Sequence, residues 1–217
     1  MLSVIIPALD AADCIGPCIA ALGEGDEILV ADGGSTDGTA AVALRNGARV
    51  IRSPRGRGVQ LAAGAEAAKG DWLLFVHADT RLAAGWRQAA DRHVERQRGK
   101  AACFRFRLDA DDWQARLVEK GVALRVRMLA LPYGDQGLLV SRRLYDDVGG
   151  YRPLPLMEDV DLVRRIGRAR LVPLDVAALT SPARWREGWL KRSARNLSCL
   201  ALYRLGMSAE RVARLYA

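Results

Sequence analysis

The feature that most constrains this chain is an alternation between Leu2 and Val76. Four short apolar runs, Leu2–Pro7, Glu27–Ala31, Arg49–Arg52 and Asp71–Val76, are each too short for a helix. They are rich in the residues that favour buried strands. Between them lie stretches with helical spacing. Ala11–Leu22 repeats Ile15, Ile19 and Leu22, Thr36–Asn46 follows Ser35 as a predicted N-cap, and Val59–Lys69 is rich in alanine. A β-α-β-α-β-α-β order predicts an α/β fold, with a doubly wound, mainly parallel sheet between helices.

The alternation then loosens. The spacing predicts a helix over Arg81–Arg98, a strand over Ala101–Leu108 and a long helix over Trp113–Leu131. A short strand, Gly137–Ser141, precedes a helical turn, followed by a helix over Met157–Ile166 and a last short strand, Leu171–Pro173. From about Arg184 the chain reads as helical and basic. The expected organisation is one domain over residues 1–180 with a helical C-terminal extension over 181–217. A length of 217 residues, half of them hydrophobic, suits one sizeable core.

Charge and cysteine content narrow the function classes. The formal net charge of +8 suits an anionic partner. The basic residues form no long run and do not alternate with aromatics, so a nucleic-acid binder is not expected. Cys14, Cys18, Cys103 and Cys199 form no C-x-x-C pair and have no histidine cluster beside them. They read as buried apolar residues in a reducing compartment rather than a zinc site. The first twenty residues contain Asp10 and Asp13 and no basic leader, and no apolar stretch approaches the roughly 18 residues of a membrane span. The expected location is cytoplasmic, with the inner face of the membrane as the alternative.

In an open sheet of this kind, ligands sit beyond the carboxyl ends of the strands. Asp32-Gly33-Gly34-Ser35-Thr36-Asp37-Gly38-Thr39 follows the second run. Its first Asp can accept from a base or a ribose hydroxyl, although a plain capped turn has the same composition. Arg55-Gly56-Arg57-Gly58 follows the third run, and guanidinium groups on a glycine-rich turn suit a diphosphate or an ordinary surface. His77-Ala78-Asp79-Thr80 follows the fourth. Asp79 suits a hard divalent cation bridging two phosphate oxygens, and it equally suits a helix cap. Met157-Glu158-Asp159-Val160-Asp161 clusters acids where a helix dipole favours them, and Asp159 is also a candidate general base. Tyr133-Gly134-Asp135-Gln136-Gly137 is a polar loop suited to the acceptor side, through Asp135 and Gln136.

Together the stretches SVIIPALD, EILVADGGSTDGT, RGRGVQLAAGAEAAKGDWLLFVHADT and PLMEDVDL resemble, in order and spacing, the family-2 glycosyltransferases. The resemblance implies a GT-A fold and metal-assisted transfer of a sugar from a nucleotide-sugar donor to an acceptor hydroxyl, usually with inversion. It implies nucleotide-sugar contacts at Pro7, Ala8, Asp10, Asp32, Arg57, Ala78 and Asp79. Asp79 matches the last acid of the family's D-x-D motif and would hold Mg²⁺ or Mn²⁺, with His77, in the place of the first acid, as a second candidate ligand. Asp159 matches the catalytic base, with Glu158 beside it. The implied donor is a UDP-sugar. Gly33 stands where the family often has a second Asp. Gln60, the HADT form and the ending SAERVARLY are similar to a small subgroup labelled for arsenosugar biosynthesis.

Other classes fit less well. A sugar nucleotidyltransferase would need a glycine-rich basic loop after the first strand, where Pro7-Ala8-Leu9-Asp10 stands. A non-catalytic nucleotide-sugar binding protein would have no use for Asp79, Glu158 and Asp159 together. A dehydrogenase would carry G-x-G-x-x-G after the first strand, and none is present. The tail mixes Trp185, Trp189, Leu190, Leu197 and Leu200 with Arg184, Arg186, Lys191, Arg192 and Arg195. That pattern suits a helix packed on the catalytic domain or on a second subunit, or one lying on an anionic membrane that presents a lipid-linked acceptor.

Overall fold

The computed structural model describes residues 1–185 and 188–216. The N-terminal half runs β1 (Leu2–Ala8), α1 (Ala12–Leu22), β2 (Glu27–Asp32), α2 (Thr39–Arg45), β3 (Arg49–Arg52), α3 (Arg57–Ala67) and β4 (Trp72–Phe75). It continues with β5 (Thr80–Leu82), α4 (Trp86–Arg96), β6 (Ala101–Leu108), α5 (Trp113–Leu129), β7 (Leu138–Ser141) and α6 (Arg142–Asp147). The chain finishes with α7 (Glu158–Ile166), β8 (Leu171–Thr180), α8 (Trp189–Arg204) and α9 (Ala209–Tyr216). Among the described residues the strands form one eight-stranded sheet in the order β3-β2-β1-β4-β7-β6-β8-β5.

The expected parallel unit is present: β3, β2, β1 and β4 are mutually parallel. Beyond it the sheet is mixed. β7 runs antiparallel to both β4 and β6, and β5 runs antiparallel to β8. The sheet is buried on both faces, so its strands read as apolar runs whose alternate residues serve two cores. Val4, Ile6, Leu74 and Val76 join the core under α1 and α4. Ile5, Leu73 and Phe75 join the core under α3 and α7. Each such aliphatic side chain withdrawn from water stabilises the fold by about 1.5–3 kcal/mol. Gly64 lets α3 lie close on β1, because a Cβ there would meet Ile5 Cγ2 at 2.3 Å.

Four sequence expectations are corrected. Helix α2 starts at Thr39 after Gly38, whose φ is +88°, and Ser35 does not cap it. Ser35 is instead held by Asp10 and Asp32. The helix expected from Arg81 begins at Trp86, because Thr80–Leu82 pairs with β8 as an edge strand. The last strand extends to Thr180 rather than Pro173, because its polar and Ala-rich second half is paired by β5 and β6, a long-range partnership. The helix expected to reach Leu131 ends at Leu129, where Ala130 turns left-handed at φ +49°.

The tail packs inward on α7. Cys199, Leu200 and Val212 share a buried cluster with Val160, Val163 and Met157. Leu197 and Leu205 stay exposed. The side chains of Arg184, Trp185, Arg186, Leu190 and Lys191 lie outside the described residues. Among the described residues no helix is long and apolar enough to cross a membrane. Cys18, Cys103 and Cys199 are buried thiols.

Candidate active site

The carboxyl ends of β1, β2 and β4 meet at one edge of the sheet, and their loops are tied together by side chains. Ala8 pairs with Asp32 across the ladder. Asp10, at φ +47°, donates its N–H to Ser35 Oγ at 2.9 Å and accepts the Thr36 N–H at 2.8 Å. Ser35 Oγ in turn donates to the Asp32 carboxylate. Asp37 accepts the Ala12 N–H at 2.9 Å, and Thr39 Oγ1 accepts the Ala11 N–H at 2.7 Å. Helix α1 has no cap of its own, so these residues of the neighbouring loop supply the acceptors its first turn needs. Bonds from Thr39 and Ala12 hold the Asp37 carboxyl below its ordinary range.

Beneath this edge, Gln60 of α3 is buried and donates from Nε2 to Ala8 O at 2.7 Å and Ala31 O at 2.9 Å. It stitches β1 to β2 where the ladder ends. Arg57, one turn earlier on the same helix, points into a cavity of about 180 Å³.

That cavity gathers residues far apart in sequence. Arg57 from α3, His77 and Asp79 from the loop after β4, Asp135, and Asp159 from the first turn of α7 all line it. Thr180, Ser181, Arg192, Asn196 and Tyr216 close its other side. The Asp79 backbone carbonyl accepts the Ser181 N–H at 3.1 Å, which fixes the Asp79 loop against the end of β8.

Asp159 is buried, and its carboxylate accepts the Gly134 N–H at 2.7 Å and the Val160 N–H at 2.7 Å. Gly134 sits between this carboxylate and His77, for a Cβ on it would lie 2.3 Å from His77 Nε2. A side chain there would have to displace the His77 ring, whereas glycine lets the chain pass while its N–H orients Asp159. Arg57 Nε donates to Glu158 Oε1, and Glu158 is almost fully buried. Burial works against the Arg57 charge, but Glu158 and Asp159 outweigh it and hold the guanidinium protonated. Burial raises the Glu158 carboxyl, Arg57 opposes that, and Asp159 adds to it. For Asp135, burial is the main cause of a carboxyl pushed up to about 6, with Arg125 opposing and Asp159 and Asp79 contributing.

The sequence-predicted residues therefore divide. Arg57, His77, Asp79, Asp135 and Asp159 share the cavity. Pro7, Ala8, Asp10, Asp32 and Ala78 lie along the adjoining strand ends and loops, off the cavity wall. Glu158 points to Arg57 rather than into the cavity. Gln136 is buried, donating to Phe104 O at 3.0 Å and accepting from Arg125 at 3.3 Å, so it braces the loop. Sequence reasoning missed Thr180, Ser181, Asn196 and Tyr216, which carry no motif and reach the cavity only through β8, α8 and α9.

The donor set suits a cation shared with phosphates. Among the described residues no group of three or more His, Cys, Asp or Glu side chains is arranged to hold a metal unaided. Asp79 with His77 beside it supplies one carboxylate and one imidazole. Mg²⁺-type sites are commonly completed in this way, by substrate phosphate oxygens and water.

The family model described as glycosyl transferase family 2 matches residues 3–152. The chain belongs to glycosyl transferase family 2. This family-2 chain is similar to an uncharacterised glycosyltransferase of Mycobacterium bovis, 38% identical over 84 residues that cover 38% of each chain. It is also similar to the glucosyl-3-phosphoglycerate synthase of Mycolicibacterium paratuberculosis, 37% identical over 92 residues, 36% of this chain and 28% of that one. The matched stretch thus spans well under half the length of these curated relatives.

Among solved structures, the fold is similar to glucosyl-3-phosphoglycerate synthase from Mycobacterium tuberculosis in complex with Mn²⁺, uridine diphosphate and glucosyl-3-phosphoglycerate. The TM-score is 0.62 at 21% identity, covering 95% of this chain and 80% of that one. Mannosyl-3-phosphoglycerate synthase from Rubrobacter xylanophilus gives a TM-score of 0.60 at 22% identity, covering 83% and 66%. At these identities the likeness establishes the GT-A fold of the family-2 chain.

Proposed function

We propose that this family-2 chain transfers a sugar from a nucleotide-sugar donor, a UDP-sugar, to an acceptor hydroxyl with inversion at the anomeric carbon. The observation that carries the reading is the convergence of Arg57, Asp79 and Asp159 on one cavity at the carboxyl edge of the parallel strands. The solved relatives that hold UDP with Mn²⁺ or Mg²⁺ support the choice of donor and cation.

In this reading Asp79, with His77 beside it, would hold Mg²⁺ or Mn²⁺ at the donor site. When bound, the cation supplies positive charge against the leaving nucleoside diphosphate. Arg57, kept charged by Glu158, contributes a second positive group fixed before the reaction begins. The strand ends at Pro7, Ala8 and Asp32, and the Asp10 clamp, border the nucleotide. Asp159, oriented by the Gly134 N–H, takes the proton of the acceptor hydroxyl. Asp159 is a base held by a backbone N–H at the cavity wall, and one such group suits a single displacement. Residues 1–180 carry this machinery, and 181–217 close its acceptor side through Arg192, Asn196 and Tyr216.

A thermal-shift screen of nucleoside diphosphates and nucleotide sugars, with and without Mn²⁺, tests the reading. The expected result is a rise in melting temperature for UDP that requires the cation, since ligands of the folded state stabilise it by mass action. No rise with any nucleotide or nucleotide sugar would overturn it.

A further inference from the structure

Helix α5 turns unusually little of itself into the core. Of its residues Ala115 is buried, while Trp113, Leu117, Leu124 and Met128 are more than half exposed. Across from it, Leu197 of α8 is 59% exposed. Amphipathic helices normally turn such residues inward. Here Trp113, Leu117, Leu124 and Leu197 line a groove of about 780 Å³ between α5 and α8. That volume falls within the roughly 300–1,000 Å³ of ligand sites. Its floor is rigid, because Val118, Val122 and Trp189 pack on the buried cluster of Phe106, Leu108 and Ala115.

The groove and the candidate active site share part of their walls. Tyr133 and Asn196 line both spaces. The Tyr133 ring carries the Arg125 guanidinium 3.5 Å from its centroid. Its hydroxyl is buried. An apolar slot and a charged cavity thus adjoin at Tyr133 and Asn196.

We propose that the groove holds the apolar chain of an amphiphilic acceptor, whose polar, hydroxyl-bearing head enters the cavity past Tyr133 and Asn196. This deepens the transferase reading and rests on it. The shared lining decides the occupant: a chain seated here brings its head to the wall of the cavity that holds Asp159, whereas a second protein copy or a flat bilayer has no need of a groove that shares residues with the cavity.

Calorimetric binding of octyl glucoside, kept below its micelle-forming concentration, compared with methyl glucoside tests this on the full chain. The two probes share a head and differ in chain. Each buried methylene tightens binding about fourfold, so the octyl probe is expected to bind at least tenfold more tightly. Leu117→Gln combined with Leu197→Gln, both at exposed positions, should remove that advantage while UDP binding with Mn²⁺ is retained. Equal affinity for the two probes, or an advantage that survives in the double variant, would overturn the proposal. So would a wild-type dimer, by sedimentation, that the double variant converts to monomer, or vesicle flotation lost in the variant with no octyl preference in the wild type. Failure of the wild type to bind any nucleotide would instead sink the donor reading and leave the groove measurement standing.

Discussion

The side-chain amide of Gln60 stands where a side chain at Gly33 would begin. A Cβ on Gly33 would lie 3.0 Å from Gln60 Nε2 and 3.1 Å from its Cδ. The amide cannot easily retreat, since it is anchored to Ala8 O and Ala31 O. This pairing accounts for glycine at the position where family-2 chains often carry a second Asp.

Gly33→Ala should therefore destabilise the fold by about 1–2 kcal/mol through overpacking. Gln60→Ala should cost about 1–3 kcal/mol, because Ala31 O loses its side-chain donor and Ala8 O keeps only the Gly33 N–H. In the Gln60→Ala background the Gly33→Ala change should be nearly neutral. Urea unfolding of the four proteins in this double-mutant cycle measures the coupling, and strict additivity would contradict the proposed contact.

Arg57→Ala leaves Glu158 almost fully buried without its partner, and should cost about 3–5 kcal/mol. The pH dependence has a definite sign. The folded Glu158 carboxyl is already raised, and losing Arg57 raises it further. Its contribution is fully present below the unfolded value of 4.5 and is lost as pH rises through the folded one. The Arg57→Ala protein should thus be closest to wild type in stability at acid pH and fall behind as pH rises. Replacing both residues with apolar ones of similar volume should recover much of the loss. Denaturation curves at several pH values check both statements.

Asp135 should act in the same direction in the unmodified chain. Its carboxyl lies at about 6 in the fold against 3.8 ordinarily. Its stabilising contribution is complete below about pH 4 and is lost as pH rises to about 6. Asp135→Asn should abolish this slope and, near pH 7, stabilise the protein by about 3 kcal/mol. Unfolding free energies of the two proteins across this range provide the comparison. Parallel pH curves for wild type and variant would exclude the effect.

Asp79→Ala and Asp159→Asn should separate binding from chemistry. The first should lose cation-dependent UDP binding along with transfer. The second should keep UDP binding and lose about 10²–10⁴-fold in kcat, the usual worth of a positioned general base. Single-turnover assays beside UDP calorimetry distinguish the two outcomes, and a wild-type rate in Asp159→Asn would remove it from the base role.

The sequence by itself determined the parallel half of the sheet. β1, β2, β3 and β4 are local βαβ units whose apolar runs and helical spacings can be read without any distant partner. It also marked Arg57, Asp79 and Asp159, because acids and arginines just after strands or at helix starts are visible as motifs. Tertiary structure alone decided the antiparallel pairing of β7, the presence of β5 and the full length of β8, since these depend on partners far along the chain. It also decided what each of the two neighbouring acids meets. Glu158 and Asp159 are adjacent in sequence, but successive helical residues point in different directions. One therefore meets Arg57 and the other meets the Gly134 N–H at the cavity wall.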